Sequence, residues 1–336
     1  MLAPPKSLTE EALATALARG WGIEVAGLEY RALGFGSHHW EVVEAGGGRW
    51  FVTVDDLEQR RDTERETNAQ VQTRLAAGLG AARALRNSST RFDFIVAPVP
   101  SLDGAVLLSV GHGFCTAVYP LLEGESFSWG PLRQDDQLGA VVSMLIDVHN
   151  APLGRTAGAP REEYRIQRRD ELERALAEGA EVPSRGPYSA ALAELITRNA
   201  PALRAVLQKY DELVAAATPA APQVLTHGEP HAGNTMLTAD GWKLIDWDTA
   251  ALAPPERDLW NLDPGDGSVL SAYAEATGYR PRPALIELFR LRWDLNDVSL
   301  FAADLRREHI ADANTTASWE NVQGVVRSLA ESVALP

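Results

Sequence analysis

The sequence predicts an α+β protein, with a small, mostly antiparallel sheet region first and a larger helical region after it. Short runs rich in strand formers recur between Leu28 and Leu121, divided by glycine and proline turns, with one helical stretch inserted. Beyond Gly124 the apolar residues fall at helical spacing, as in Leu138, Val142, Leu145, Ile146 and His149. At 336 residues the chain can bury a large core in one domain or two lobes.

Ser7-Leu8-Thr9-Glu10 reads as a capping box opening a helix to about Arg19, with Leu8, Leu13 and Leu17 on its apolar side and Gly20 and Gly22 ending it. Residues 28–33 read as a strand, Gly34-Phe35-Gly36-Ser37 as a tight turn, and residues 39–44 as a second strand. Gly46-Gly47-Gly48 turns the chain into a third strand at 49–54. A helix is expected at 63–77, then strands at 94–96, 106–110 and 116–121. Helices follow at 135–149, 162–178, 188–199 and 202–217, and after an intervening loop and hairpin at 267–277, 283–306 and 317–333. Residues 118–123 connect the β-rich part to the α-rich part.

The composition is globular, with 45% hydrophobic and 23% charged residues. A formal charge of −15 argues against nucleic acid and anionic membrane as partners and is compatible with a cationic small molecule. Cys115 is the only cysteine, which leaves neither a disulfide framework nor a thiolate zinc cluster. Residues 1–7 carry no basic run followed by an apolar core, and no apolar run approaches the ~20 residues of a membrane span, so a cytoplasmic location is expected. Lys6, Lys209 and Lys243 are the only lysines, so none lies between Lys6 and Lys209.

The chemistry concentrates in Thr226-His227-Gly228-Glu229-Pro230-His231-Ala232-Gly233-Asn234, where an acid and an amide stand five positions apart. Two short strand-like runs follow, at 235–238 and 242–245, joined by the turn signal Ala239-Asp240-Gly241. Pairing of those runs sets Asn234, entering the hairpin, directly across from Asp246, leaving it. An amide oxygen and a carboxylate then converge, a donor set suited to Mg²⁺ and the oxygens of a polyphosphate. Glu229 lies upstream, in reach of a hydroxyl aimed at that phosphate. Catalytic acid, metal amide and metal acid follow one another in this order in phosphoryl-transfer sites of the kinase type.

Plainer readings stand beside the functional ones. Gly34-Phe35-Gly36-Ser37 alone is a turn between strands, but in the first hairpin of a β-rich lobe its backbone N–H groups can cover phosphates. His227, Glu229 and His231 alternate as metal ligands on a strand do; Gly228 and Pro230 break any helix, and a metal there leaves Asn234 unexplained, so His227 reads as a structural brace. Asp258, in Pro254-Pro255-Glu256-Arg257-Asp258-Leu259, is surface charge or a buried brace for the loop, and its place after Asp246 favours the brace. Asp294, Asp297, Asp304 and Glu308 form a solvated helix face, slightly favoured, or an acidic wall for ammonium groups. Trp129, Trp293 and Trp319 read as core or lid packing.

Together these segments resemble the aminoglycoside phosphotransferase and choline kinase-like family. His227-Gly228-Glu229-Pro230-His231-Ala232-Gly233-Asn234 is similar to its active loop, usually His-Gly-Asp-x-x-x-x-Asn, and Ile245-Asp246-Trp247-Asp248 to its Ile-Asp-Trp metal loop. Ala253 to Leu259 looks especially like spectinomycin-type phosphotransferases, and Tyr119-Pro120-Leu121-Leu122-Glu123-Gly124 like the family's hinge. The resemblance implies a bilobal protein-kinase-like fold: residues 1–117 as a nucleotide-covering lobe, 118–123 as hinge, and 124–336 as a helical lobe with the catalytic loop, metal loop and substrate site. It implies Mg²⁺-dependent transfer of the terminal phosphate of ATP or GTP to a hydroxyl of a small molecule, an antibiotic such as an aminoglycoside or an amino alcohol. By the same resemblance Glu229 is the catalytic acid, Asn234 and Asp246 bind Mg²⁺, and Gly34, Gly36, Ser37 and Thr53 lie at the phosphates. Backbone groups near Tyr119 and Leu121 hold the nucleobase, His227 and Asp258 support the loop, and Asp294 and Asp297 are candidate substrate contacts.

Two positions depart from the family pattern. Glu229 stands where Asp is usual; its extra methylene shifts the carboxylate by about 1.5 Å unless the loop compensates, and ~1 Å of misplacement can cost roughly 10²-fold in rate. Thr53 stands where a strand lysine normally grips the α- and β-phosphates, with Arg49, Arg60 or His38 as candidate replacements and Glu64 or Glu66 as partner. These departures leave open a second reading, a pseudokinase-like nucleotide-binding protein without turnover, while the complete metal pair favours a working enzyme.

Overall fold

The strand-forming runs of the first 120 residues pair into one antiparallel sheet, ordered β1-β2-β3-β5-β4, in a computed structural model that describes residues 1–133, 136–156, 158–180, 185–217 and 222–334. The strands are β1 (Val25–Arg31), β2 (Ser37–Glu44), β3 (Arg49–Asp56), β4 (Leu108–Val110) and β5 (Phe114–Pro120). Alternation along each strand makes two unlike faces. One carries Trp40, Val42, Val52, Val54 and Val118 and packs on Leu13 and Leu17 of α1 (Glu10–Trp21). On the other face the register sets Ser37 beside Asp55, His39 beside Thr53, Thr53 beside Ala117 and Asp55 beside Cys115. Ser37, His39, Thr53 and Asp55 are thereby gathered on the side away from α1.

Capping chemistry fixes where the first helices begin. Thr9, not Ser7, caps α1 by accepting the Ala12 N–H, and Gly22 at φ +72° ends it. Gly20, expected to help end the helix, lies inside it, and Leu108 Cδ1 stands 2.5 Å from where its Cβ would be. The next helix, α2 (Asn68–Arg86), starts later than expected because Thr67 and Gln70 form a reciprocal capping box. Glu64 and Glu66 consequently precede the helix, and residues 57–60 make turns after β3. Residues 94–96 form no strand beyond an isolated bridge from Ile95 to Leu244.

The chain divides into two compact units. The first comprises Met1–Arg60, Thr67–Glu162 and Pro222–Arg282. Besides the sheet, α1 and α2 it holds α3 (Gln137–His149), whose expected start at Asp135 lies outside the described residues. A second antiparallel sheet joins β6 (Gly124–Ser126), β8 (Thr235–Thr238) and β9 (Gly241–Leu244), and a third joins β7 (Val224–Thr226) to β10 (Ala251–Ala253). The short α6 (Glu256–Leu259) and α7 (Ser268–Thr277) complete this unit.

The second unit comprises Arg61–Glu66, Glu163–Ala221 and Pro283–Pro336. It packs α4 (Arg169–Glu178), α5 (Ser189–Ala216), α8 (Pro283–Arg306) and α9 (Ala313–Ala334), with α5, α8 and α9 in mutual contact and α4 against α5 and α8. The helix α5 replaces the two helices expected at 188–199 and 202–217: Pro201 lies inside it, and buried residues on both sides of the proline, Leu192 and Ile196 before it and Leu203, Leu207 and Tyr210 after it, hold the two halves. Packing here outweighs the proline's missing N–H. No helix among the described residues is long and apolar enough to cross a membrane.

Candidate active site

The β7–β10 pair and the β8–β9 hairpin carry the two loops on which the motif residues sit. Thr226 pairs with Ala251 across the first, and its hydroxyl donates to the Ala251 carbonyl at 2.8 Å. Immediately after β7 the chain turns at Gly228, φ +102°, where a Cβ would meet the Arg257 guanidinium at 2.5 Å, so only glycine fits. Arg257 is itself fixed, donating to the Thr226 hydroxyl at 2.8 Å, the Thr249 carbonyl at 2.8 Å and Glu162 at 3.0 Å.

Asp258 is the brace that the sequence suggested. It is fully buried, and its carboxylate accepts the N–H groups of His227 and Gly228 at 2.8 and 2.6 Å and lies 3.1 Å from His149 Nε2. The hydrogen bond with His149, together with the neighbouring Arg257 charge, holds its pKa below the usual carboxylate range despite burial. The His149 ring is oriented from its other nitrogen by the Tyr273 hydroxyl at 2.9 Å.

His227 is equally committed. Its Nδ1 accepts the Glu229 N–H at 3.2 Å, which puts the proton on Nε2, and Nε2 donates to the Ile245 carbonyl at 2.8 Å. Burial pushes its pKa down to about 4, so the ring is neutral and has both nitrogens in use. This occupancy argues against the zinc alternative for the His-x-Glu-x-His pattern. Trp247, buried beside it with ring centroids 4.6 Å apart, donates to the Leu244 carbonyl at 2.9 Å and pins the far end of the hairpin to the same histidine.

The hairpin register differs by one residue from expectation. Thr238 pairs with Gly241 and Thr235 with Leu244, a two-residue turn in which Gly241 already belongs to β9. Asn234 therefore faces Ile245, whose N–H donates to the Asn234 carbonyl at 2.9 Å, and Asp246 follows one step further on. Asn234 Nδ2 donates to the Glu229 carbonyl at 2.9 Å, which leaves the amide oxygen as the free donor atom. Asp246 sits at φ +63°, a strained conformation for a non-glycine residue. It keeps exposed surface, yet the protein packed around it and the carboxylates of Asp248 and Glu229 drive its pKa well up. Asn234 and Asp246 offer oxygen donors only, and crowded carboxylates of this kind favour a bound cation; the donor set fits Mg²⁺. Glu229 has a third of its side chain exposed, with Oε2 4.0 Å from His231 Nε2.

The polar face of the five-stranded sheet contributes a group that the motifs did not announce. Ser37 donates to Asp55 at 2.8 Å, Arg60 Nε donates to the same Asp55 oxygen at 2.8 Å, and Arg60 Nη2 bonds both the Ser37 hydroxyl, at 2.8 Å, and Asp248. Gly34 and Gly36 have φ of +58° and +96°, and a Cβ on Gly36 would stand 3.4 Å from Arg60 Nη1. Thr53 and the buried Tyr119 ring interact on this face, and burial, with Asp246, Asp248 and Asp55 nearby, pushes the phenol pKa well up. The Leu121 N–H reaches back to the Arg49 carbonyl at 3.4 Å. Of the candidate replacements for a strand lysine, Arg49 is exposed and paired with Glu41 and Glu123, and His38 faces α1 with Nδ1 3.1 Å from the Tyr30 hydroxyl.

Asp294 and Asp297, the weaker substrate candidates, lie half-buried on α8 in the second unit, and burial raises the Asp294 pKa to about 6. Trp129 is 70% exposed beside His231, at 6.4 Å between rings, and so is not core packing. Sequence reasoning missed Asp55 and the α3 residue Gln137, whose amide donates to the Thr235 hydroxyl at 2.8 Å just beyond Asn234. Strand alternation from Thr53 would have placed Asp55 on the same face; nothing local marks Gln137.

Residues 28–289 match the family described as the phosphotransferase enzyme family. The protein StrN of Streptomyces griseus is 29% identical over 236 residues, 68% of this chain and 70% of that protein. Among solved structures, a spectinomycin phosphotransferase in complex with ADP and spectinomycin superposes with a TM-score of 0.71, at 18% identity, covering 97% of this chain and 98% of that one. An aminoglycoside phosphotransferase in complex with GDP and kanamycin gives a TM-score of 0.59 at 14% identity, covering 96% and 98%. At these identities the structural likeness speaks for the fold.

Proposed function

The chain belongs to the phosphotransferase enzyme family, and from that premise we propose that it moves the terminal phosphate of ATP or GTP to a hydroxyl of a small molecule, with Mg²⁺ as cofactor. The observation that carries this reading is the Asn234 amide, turned by its bond to the Glu229 carbonyl so that its oxygen remains free one ladder step from Asp246. Asn234 Oδ1 and the Asp246 carboxylate would hold the metal. Bound there, Mg²⁺ would neutralise charge on the phosphates, which is most of what such a transfer needs besides positioning. Glu229 receives the proton of the acceptor hydroxyl as its oxygen bonds to phosphorus and the bond to the leaving phosphate oxygen breaks. Asp258 and His227 hold the loop so that Glu229 and Asn234 keep a fixed relation.

The glycine turn at Gly34 and Gly36 covers the phosphates through its backbone, and residues 118–123 act as the hinge whose backbone near Tyr119 and Leu121 receives the base. The acceptor class follows the relatives, one bound to spectinomycin and one to kanamycin: an antibiotic or amino alcohol. The net charge of −15 favours a cationic acceptor.

The test has two stages. Thermal unfolding with Mg-ATP and Mg-GTP should show a raised midpoint for at least one, since a ligand that binds only the folded chain stabilises it. Incubation with a panel of spectinomycin, aminoglycosides, macrolides and amino alcohols should then release ADP or GDP and yield a phosphorylated product, and Asp246→Ala should abolish both. The absence of both a nucleotide-dependent shift and a product from any acceptor would sink the reading.

A further inference from the structure

One side chain joins the glycine turn to the metal loop. Arg60 touches Ser37 at the end of the turn, Asp55 on β3 and Asp248 two residues beyond the proposed metal acid. It is only 19% exposed and is held in place by these three partners. Its bonds leave from Nε and Nη2; Nη1 takes no part in them and is the atom nearest to the Cβ position of Gly36, at 3.4 Å. A guanidinium is planar and always charged, so one edge can be held by carboxylates while the other donates elsewhere.

We propose that Arg60 is the cation that grips the nucleotide's polyphosphate in this chain, standing in for the lysine that β3 lacks at Thr53. The Nε and Nη2 edge stays on Asp55 and Asp248, and the Nη1 edge faces the phosphates beneath the turn. Asp55 is then the orienting acid, supplied by the strand itself two residues after Thr53, and Ser37 fixes the guanidinium plane from the turn. This rests on the nucleotide-binding reading above and deepens it: turn, phosphate grip and metal loop are tied through one residue. Arg49 and His38 cannot do the same, since the first is held at the exposed rim and the second faces α1.

The experiment compares calorimetric affinities for Mg-ATP, Mg-GTP and the matching nucleosides in the wild-type chain, in Arg60→Lys, and in Arg60→Met combined with Asp55→Asn. The double variant removes both members of the Arg60–Asp55 pair, so that Asp248, the other partner of the guanidinium, is the one carboxylate that loses its counter-charge. Triphosphate affinity is expected to fall at least tenfold in the double variant and at least threefold in Arg60→Lys, with nucleoside affinity within twofold of wild type. Triphosphate and nucleoside affinities that fall together, or a triphosphate affinity that ignores Arg60, overturn the inference. Should the double variant fail to fold, the triphosphate-to-nucleoside ratio in Arg60→Lys decides alone. A wild-type chain that binds neither triphosphate overturns the nucleotide reading itself, whereas binding that does not depend on Arg60 overturns only this inference.

Discussion

The Asn234 side chain donates to the Glu229 carbonyl oxygen at 2.9 Å, so the residue proposed to present an oxygen to the metal also closes the loop that carries the proposed acid. Position 234 therefore has two duties that different substitutions separate. Asn234→Asp keeps the size but sets a carboxylate against a carbonyl oxygen, removing a hydrogen bond of about 1 kcal/mol and adding repulsion. Asn234→Ala removes the bond and the metal-facing oxygen together. Both should raise the Mg²⁺ concentration needed for half-maximal nucleotide binding, and Asn234→Asp should show the larger fall in turnover. Wild-type Mg²⁺ dependence in Asn234→Ala would mean the amide is only a loop clasp.

Glu229 tests the acid separately from the nucleotide. Its carboxylate is a third exposed and in the proposed mechanism binds neither metal nor phosphate, so Glu229→Gln should leave Mg-nucleotide affinity within about twofold while lowering turnover by roughly 10²–10⁴. Glu229→Asp retracts the carboxylate by one methylene and should keep measurable turnover. Steady-state rates with a saturating acceptor distinguish these outcomes. Equal activity in wild type and Glu229→Gln removes Glu229 from the proton transfer.

The site was legible in the sequence where its geometry is local and illegible where it is made by distant pairing. Glu229, Asn234 and Asp246 could be read because a loop and a hairpin bring them together within twenty residues. Even there the register slipped by one, since whether Gly241 ends the turn or begins β9 depends on the Thr238–Gly241 pair. The contact of Arg60 with Asp248 spans 188 residues and leaves no local pattern. The helices show the same divide: α8 was bounded correctly by its apolar period, while Pro201 suggested a break that the packing of α5 overrides.

Asp258 anchors the backbone N–H groups of His227 and Gly228 and faces His149, all in the interior. Asparagine fits the space but replaces one acceptor oxygen with a donor, which must then meet an N–H or the histidine. The loss of a charge-assisted bond and the mismatch together are worth roughly 2–4 kcal/mol. Asp258→Asn should lower the urea midpoint accordingly and reduce turnover in the folded fraction. A change below about 0.5 kcal/mol, the range of ordinary surface substitutions, would contradict the buried-brace assignment.

His227 sets a stability that depends on pH. Above about 6.5 its ring is neutral in folded and unfolded chains alike; below that, the unfolded chain takes up a proton that the folded ring accepts only near 4. Its contribution is thus whole above pH 6.5 and is lost as pH falls toward 4, on the order of 3 kcal/mol by the end of that range. In His227→Gln an amide N–H can still donate to the Ile245 carbonyl, but nothing titrates. Urea midpoints from pH 8 to 4.5 should fall less steeply in the variant; parallel curves would show that His227 is not the source. His38, His39 and His231, also pushed down to about 4, account for acid sensitivity that remains.

The approach of α2 to the metal loop gives the last test. At Gly78 a Cβ would lie 3.0 Å from the Ala250 carbonyl oxygen and 3.1 Å from that of Asp248. In an open helix Gly→Ala gains about 1 kcal/mol. Here the added methyl meets backbone that cannot rotate away, and overpacking of this kind costs about 1–3 kcal/mol. Gly78→Ala should therefore lose stability on balance. Because one of the two crowded carbonyls belongs to Asp248, the partner of Arg60, the substitution should also weaken triphosphate binding more than nucleoside binding. A stabilised Gly78→Ala with unchanged triphosphate affinity would mean that the helix and the loop are not in the contact described.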